Sequence, residues 1–170
     1  DIDGISTASL GAVFSDDPDV FAPCTAEACL TMLDHYDVPL AGKHVVVVGR
    51  SLVIGKPVAM LLLKRNASVT MCHSKTEDLR ALTRQADIVI CATGRPKAFD
   101  HTYFSPGQTV VDVGISFDDE GNLCGDVDFA DVEPVVGAIT PVPGGIGSVT
   151  TSVTMEHTVL AAERQARLQK

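Results

Sequence analysis

Apolar residues in this chain fall into two patterns that alternate along its length. Some form short continuous runs, and others recur at helical spacing. The run Val45–Val46–Val47–Val48, between His44 and Gly49, is β-branched throughout. A surface strand alternates polar and apolar positions, so an unbroken valine run predicts a strand buried on both faces. Gly55–Lys56–Pro57 then opens the run Val58–Ala59–Met60–Leu61–Leu62–Leu63, which predicts a helix to about Arg65. Pro57 is tolerated there because first-turn amides have no intrahelical partner.

The rest of the chain repeats the alternation. Ala28, Cys29, Met32, Leu33 and Tyr36 are spaced for one helical face, with Thr25 as the expected N-cap and Pro39 and Gly42 beyond the end. Ala67–Cys72, Asp87–Ala92, Gln108–Val113 and Ala138–Thr140 predict further strands. Between the first two, Ser74-x-x-Glu77 reads as a capping box for a helix to about Gln85. Glu120–Gly121–Asn122 predicts the tip of a hairpin between Ser116 and Val127, and a last helix is expected over about Val149–Arg167. Asp1 to Pro23 is mixed, with a short helix expected around Ser9–Phe14.

Strands alternating with helices at this spacing imply an α/β fold, a doubly wound parallel sheet with right-handed crossovers. Val45–Val48 belongs at its centre. In such sheets ligands sit beyond the carboxyl ends of the strands. Gly49, Gly94 and Gly114 each close a predicted strand, and Gly144–Gly145–Ile146–Gly147 follows another. Any one of these glycines suits an ordinary turn. Four on one sheet edge favour a ligand groove.

The joint at Gly49 is the sharpest candidate. A buried strand, a glycine-bounded loop and a helix start together make an anion cradle, because backbone N–H groups and the positive helix end face the same space. The pattern is Gly49-x-Ser51-x-x-x-Gly55, not the dinucleotide fingerprint G-x-G-x-x-G. An ordinary strand–loop–helix joint with no ligand has the same local pattern.

Composition narrows the partners. The 170 residues suffice for one sizeable core, and a formal net charge of −9 argues against nucleic acid or an anionic membrane. An anionic cofactor therefore has to be captured by local positive groups. No apolar run approaches the roughly 20 residues needed to span a bilayer. The five cysteines are odd in number and lack C-x-x-C spacing, which favours a reduced, cytoplasmic setting without a zinc site.

The second strand chooses between cofactors. In a dinucleotide-binding sheet, a carboxylate about 20 residues past the glycine loop holds the ribose 2′-hydroxyl of NAD. Here the place reads Cys72–His73–Ser74–Lys75–Thr76, without an acid. Ser74 and Lys75 are donors, and Arg50 on the first loop reaches the same spot. Donors without an acid accommodate a 2′-phosphate, which points to NADP. Ser74 has a second reading, as the cap of the next helix, and both roles are compatible.

Several of these strings are those of one family. Val47-Val48-Gly49-Arg50-Ser51-x-x-x-Gly55-x-Pro57, Cys72-His73-Ser74-Lys75-Thr76, Ala92-Thr93-Gly94-Arg95-Pro96 and Thr140-Pro141-Val142-Pro143-Gly144-Gly145-Ile146-Gly147 carry the resemblance. So do Asp1-Ile2-Asp3-Gly4, Pro23-Cys24-Thr25, Val113-Gly114-Ile115 and Gly125-Asp126-Val127. Together they resemble the bifunctional methylenetetrahydrofolate dehydrogenase/methenyltetrahydrofolate cyclohydrolase family, in its C-terminal, Rossmann-like NAD(P)-binding portion.

The resemblance implies oxidation of 5,10-methylenetetrahydrofolate with NADP⁺, then hydrolysis of the methenyl product to 10-formyltetrahydrofolate. By matching motif it implies cofactor contacts at Gly49, Arg50, Ser51, Ser74, Thr93 and Ile115. It implies substrate contacts at Asp3, whose carboxylate suits the amino-pyrimidine edge of a pterin, and along Pro143, Gly144 and Gly145. It further implies a homodimer through this domain. Residues 1–23 are then a connector from a missing N-terminal catalytic domain, and residues 24–170 the NADP-binding domain.

The chain departs from the family pattern in places. Ala26 and Ala28 stand where the family usually has Pro and Gly, and Ser148 where it usually has Pro. The family's Tyr-x-x-x-Lys is absent, since neither Tyr36 nor Tyr103 has Lys at that spacing. Lys56 and His73 are better explained as phosphate-side or exposed groups, so no catalytic residue is assigned. Two other readings remain at this stage: a shikimate-type NADP dehydrogenase, against which the Pro-Val-Pro-Gly-Gly loop argues, and a stand-alone nucleotide-binding or dimerising module.

Overall fold

The computed structural model describes residues 1–168. Its centre is the valine run, strand β1 (His44–Val48), which pairs in parallel with β2 (Ser68–Cys72) on one side and β3 (Ile88–Cys91) on the other. β4 (Thr109–Asp112) joins β3 in parallel. β5 (Ser116–Phe117) and β6 (Leu123–Cys124) form the expected antiparallel hairpin outside the sheet. β7 (Ala138–Ile139) closes the order β2-β1-β3-β4-β7. The crossing from β2 over β1 to β3 is a switch point, where a doubly wound sheet opens its ligand crevice.

Alternate valines of β1 serve different layers, as side chains on successive strand residues point to opposite faces. Val45 and Val47 pack with residues of α2 (Cys24–His35), α3 (Gly55–Lys64) and α6 (Ile146–Leu168). Val46 and Val48 pack beneath α4 (Leu79–Arg84) and α5 (Phe129–Val132), with Phe99 and Phe104. All four valines are at most 1% exposed. Covering both faces removes them from water, at roughly 1.5–3 kcal/mol per buried side chain.

Three helix starts differ from the sequence reading. α2 begins at Cys24 with Pro23 in the cap position, and no side chain caps it. The Cys24 amide instead donates to the carbonyl of Asp3 at 3.3 Å, so the N-terminal segment does what Thr25 was expected to do. α4 begins at Leu79, capped by Asp78, whose carboxylate accepts the Ala81 amide at 3.3 Å. The Ser74-x-x-Glu77 box does not form, because His73–Thr76 closes its own tight turn first. There the His73 amide donates to Thr76 Oγ1 at 2.8 Å, and the Thr76 amide to the His73 carbonyl at 2.9 Å. α6 starts at Ile146, three residues before the expected Val149.

Residues 1–23 lie against the body of the domain. α1 (Thr7–Phe14) forms where a short helix was expected, with Ser6 as its cap. The Ile2 carbonyl lies 2.8 Å from Nδ1 of the buried His157, whose Nε2 is 3.0 Å from Glu27. All five cysteines are free and buried, and burial pushes the Cys29 thiol up to about 12, where it is inert as a nucleophile. Among the described residues no helix is long and apolar enough to cross a membrane, and no cluster of His, Cys, Asp or Glu is arranged to hold a metal ion.

Candidate functional site

The carboxyl ends of β1, β2 and β3 surround a cavity of about 500 Å³. At its floor the chain leaves β1 through Gly49, at φ +132°, where the Gly49 amide donates to the Cys72 carbonyl at 2.9 Å. A Cβ on Gly49 would run into the carbonyl of Ala92 at the end of β3. The backbone therefore passes closer to β3 than any side chain allows, and the space above stays open.

Gly49, Arg50, Ser51, Ser74 and Thr93 all line this cavity, so the structure gathers five of the expected cofactor residues into one place. Arg50 is exposed and makes no hydrogen bond among the described residues. Ser74 is likewise exposed, and its hydroxyl does not cap a helix. Lys75, the other expected donor, is not among the lining residues, whereas Arg95 and His73 are. No carboxylate lines the cavity. In a chain of net charge −9, a pocket with two arginines and no acid is a local trap for an anion.

Ser51 has a narrower role than the open cradle suggested. Its Oγ accepts the amides of Ile54 at 3.1 Å and Gly55 at 3.4 Å, where α3 begins. Two of the donors expected to face a ligand are thus already used. Ser51 shapes the loop, and the side chains of Arg50 and Ser74 are left to meet an anion directly.

A second cavity, of about 200 Å³, lies on the far side of the switch point, beyond β4 and β7. Ile115, Pro143, Gly144 and Gly145 line it together, with Gly114 at its base. Ile115 is 63% exposed, an apolar surface facing open space. Its Cδ1 would lie 3.7 Å from a Cβ placed on Gly147, which ties the loop after β4 to the start of α6. Asp3 lines neither cavity; it is exposed on the N-terminal segment beside Cys24.

Sequence reasoning missed two buried carboxylates between the cavities. Asp112, at the end of β4, accepts the amides of Gly114, Asp126 and Val127 at 2.9, 3.0 and 2.9 Å. Burial pushes its pKa up to about 6, against the pull of those three amides. Asp126 is fully buried and accepts the Arg95 amide at 2.8 Å, the Thr93 hydroxyl at 2.9 Å and the Thr93 amide. The only sequence signal was their place beside Gly114 and Gly125.

Comparison with known proteins agrees with this geometry. The family model for the tetrahydrofolate dehydrogenase/cyclohydrolase NAD(P)-binding domain matches residues 23–166. The chain is 54% identical over 165 residues to the bifunctional protein FolD of Carboxydothermus hydrogenoformans, covering 96% of this chain and 58% of that protein. It superposes on the Campylobacter jejuni FolD methylenetetrahydrofolate dehydrogenase/cyclohydrolase with a TM-score of 0.94 at 39% identity, over 97% of this chain and 58% of that one. The Trypanosoma brucei enzyme, solved with NADP cofactor and an inhibitor, gives 0.91 at 36% identity, over 98% and 59%. The chain thus spans a little under three fifths of the length of these relatives.

Proposed function

The chain belongs to the tetrahydrofolate dehydrogenase/cyclohydrolase family, and on that premise we propose that it is the NADP-binding part of a one-carbon enzyme. The enzyme oxidises 5,10-methylenetetrahydrofolate to the methenyl form with NADP⁺ and hydrolyses that product to 10-formyltetrahydrofolate. The observation that carries the reading is the acid-free cavity, in which Arg50 and Ser74 stand unpaired at the carboxyl ends of β1 and β2.

The residues present fit NADP on the structure's own terms. Gly49 lies against the Ala92 carbonyl, where no Cβ fits, so the backbone itself forms the cavity floor, as the approach of a pyrophosphate to the strand ends requires. Arg50 and Ser74 supply donors for a 2′-phosphate, and Arg95 adds a second positive charge. When bound, NADP⁺ supplies a hydride acceptor. Ile115 and the Pro143–Gly145 loop then wall the far cavity, and apolar walls there keep water from a hydride path. The exposed Asp3 carboxylate, with two acceptor oxygens, suits a pair of N–H donors on a pterin.

The chain is read as inactive alone. No Tyr-x-x-x-Lys occurs in it, and its relatives carry a further two fifths of sequence. A dimer through this domain is part of the same proposal. The discriminating experiment is calorimetry of this chain with NADP⁺ and NAD⁺. Tighter binding of NADP⁺ supports the proposal; equal binding, or none, overturns it.

A further inference from the structure

We propose that Asp126, backed by Asp112, is the positioning residue of the nucleotide site, holding the loops of its two cavities as one unit. The inference rests on the nucleotide-binding reading above. Thr93 and Arg95 line the larger cavity, and Gly114 and Ile115 line the smaller. The amides of Thr93 and Arg95 donate to no backbone carbonyl; both go to Asp126. The amides of Gly114 and of Asp126 itself go to Asp112. Every loop amide in this chain of contacts therefore ends on a carboxylate, and the Asp112 carboxylate in turn holds the backbone of Asp126.

The packing leaves no slack. A Cβ on Gly125 would strike the Asp112 carboxylate, and one on Gly114 would strike that of Asp126. Neither carboxylate has a lysine, arginine or histidine partner among the described residues; their donors are amides and one hydroxyl. Two unneutralised acids beside a site for an anion repel that anion and resist burial. Their contribution is therefore geometric. A carboxylate has two oxygens and, when ionised, only acceptor sites, so one side chain satisfies several converging N–H groups at once. A bent loop that lacks a ladder partner is held in this way without a strand.

The test uses two probes, NADP⁺ and 2′,5′-ADP, which carries the phosphate-bearing nucleoside alone. In Asp126→Asn the shape is kept, but one oxygen becomes an NH₂ group facing an N–H. Both probes are expected to bind about ten- to a hundredfold more weakly, as the loss of a charge-assisted hydrogen bond implies. In Asp112→Asn the far loop loses its Gly114 anchor and the backbone at Asp126 and Val127 is loosened, while the Asp126 carboxylate still holds Thr93 and Arg95. NADP⁺ should then weaken about tenfold or more, and 2′,5′-ADP by less than about threefold. A merely structural role lowers melting temperature and leaves that difference between probes unmoved. Folded variants that bind both probes as wild type does overturn the inference, whereas wild type binding neither probe overturns the nucleotide reading itself. If Asp126→Asn fails to fold, amide hydrogen exchange on the wild type decides. Protection of the Thr93 and Arg95 amides at the level of β3 supports the inference, and free exchange overturns it.

Discussion

The carbonyl oxygen of Ala92 occupies the place where a side chain on Gly49 would begin. That contact joins the ends of β1 and β3, and it sets how low the backbone runs beneath the larger cavity. The contact leaves Gly49 no room for a side chain of any size.

Gly49→Ala is expected to lose both stability and binding. The φ of +132° already strains an L side chain, and the added methyl group meets backbone that cannot turn away. Such substitutions cost more than about 1 kcal/mol. Urea unfolding should show that loss, and calorimetry should show NADP⁺ binding reduced at least about tenfold. Displacing Ala92 would open the floor of the larger cavity, where the proposed cofactor site lies. Wild-type affinity in Gly49→Ala would mean that the cofactor does not cross the chain here.

Arg50→Ala is expected to change selectivity more than stability. Arg50 is exposed and bonds to nothing else among the described residues, so its removal leaves no buried group unpaired. A hydrogen bond to a charged partner contributes roughly 1.5–3 kcal/mol, which is about ten- to a hundredfold in NADP⁺ affinity. NAD⁺ lacks the phosphate and should change far less. The ratio of the two affinities, by calorimetry on wild type and variant, is the measurement. Equal weakening of both would assign Arg50 to the pyrophosphate.

Asp112 should make stability depend on pH in an unusual direction. Its folded pKa of about 6 lies above the ordinary 3.8, so the folded chain holds the proton more tightly than the unfolded chain. The stability from this group is then complete below about pH 4 and is lost as pH rises through about 6. The gap of about two corresponds to about 3 kcal/mol. Urea unfolding at pH 4 to 7 should show wild type losing up to that amount relative to Asp112→Asn as pH rises. A difference that is flat with pH, or of opposite sign, would show that the three amides outweigh burial.

The chain by itself is expected to show no methylenetetrahydrofolate dehydrogenase turnover. Positioned acid–base groups typically supply 10²–10⁴-fold, and substrate positioning supplies more. A steady-state assay following NADPH absorbance checks this. Turnover comparable to that of a longer relative would place the catalytic groups within these residues.

By itself the sequence determined the architecture and the residue types that line the larger cavity. The valine run was legible as a central strand because four adjacent β-branched residues have no stable place except between two covered faces. The absence of an acid after β2 was legible because residue type alone distinguishes a partner for a hydroxyl from one for a phosphate. Even the short hairpin was readable, from its Glu120–Gly121–Asn122 turn. These features are local, and local chemistry specifies them.

Tertiary structure decided everything that depends on which donor reaches which acceptor. The cap of α4 moved from Ser74 to Asp78 because Thr76 first closed a turn on His73, which left Ser74 facing the cavity. The first amide of α2 was satisfied by the Asp3 carbonyl, 21 positions earlier in the chain, so Thr25 was not needed. Arg95 joined Arg50 in one cavity only because β3 lies beside β1. Asp112 and Asp126 are two acids among 22 in the sequence, and the glycines beside them do not say which amides they hold. Their role arises from a fold that brings residues 93–95, 112–114 and 125–127 together, where each carboxylate meets several converging amides.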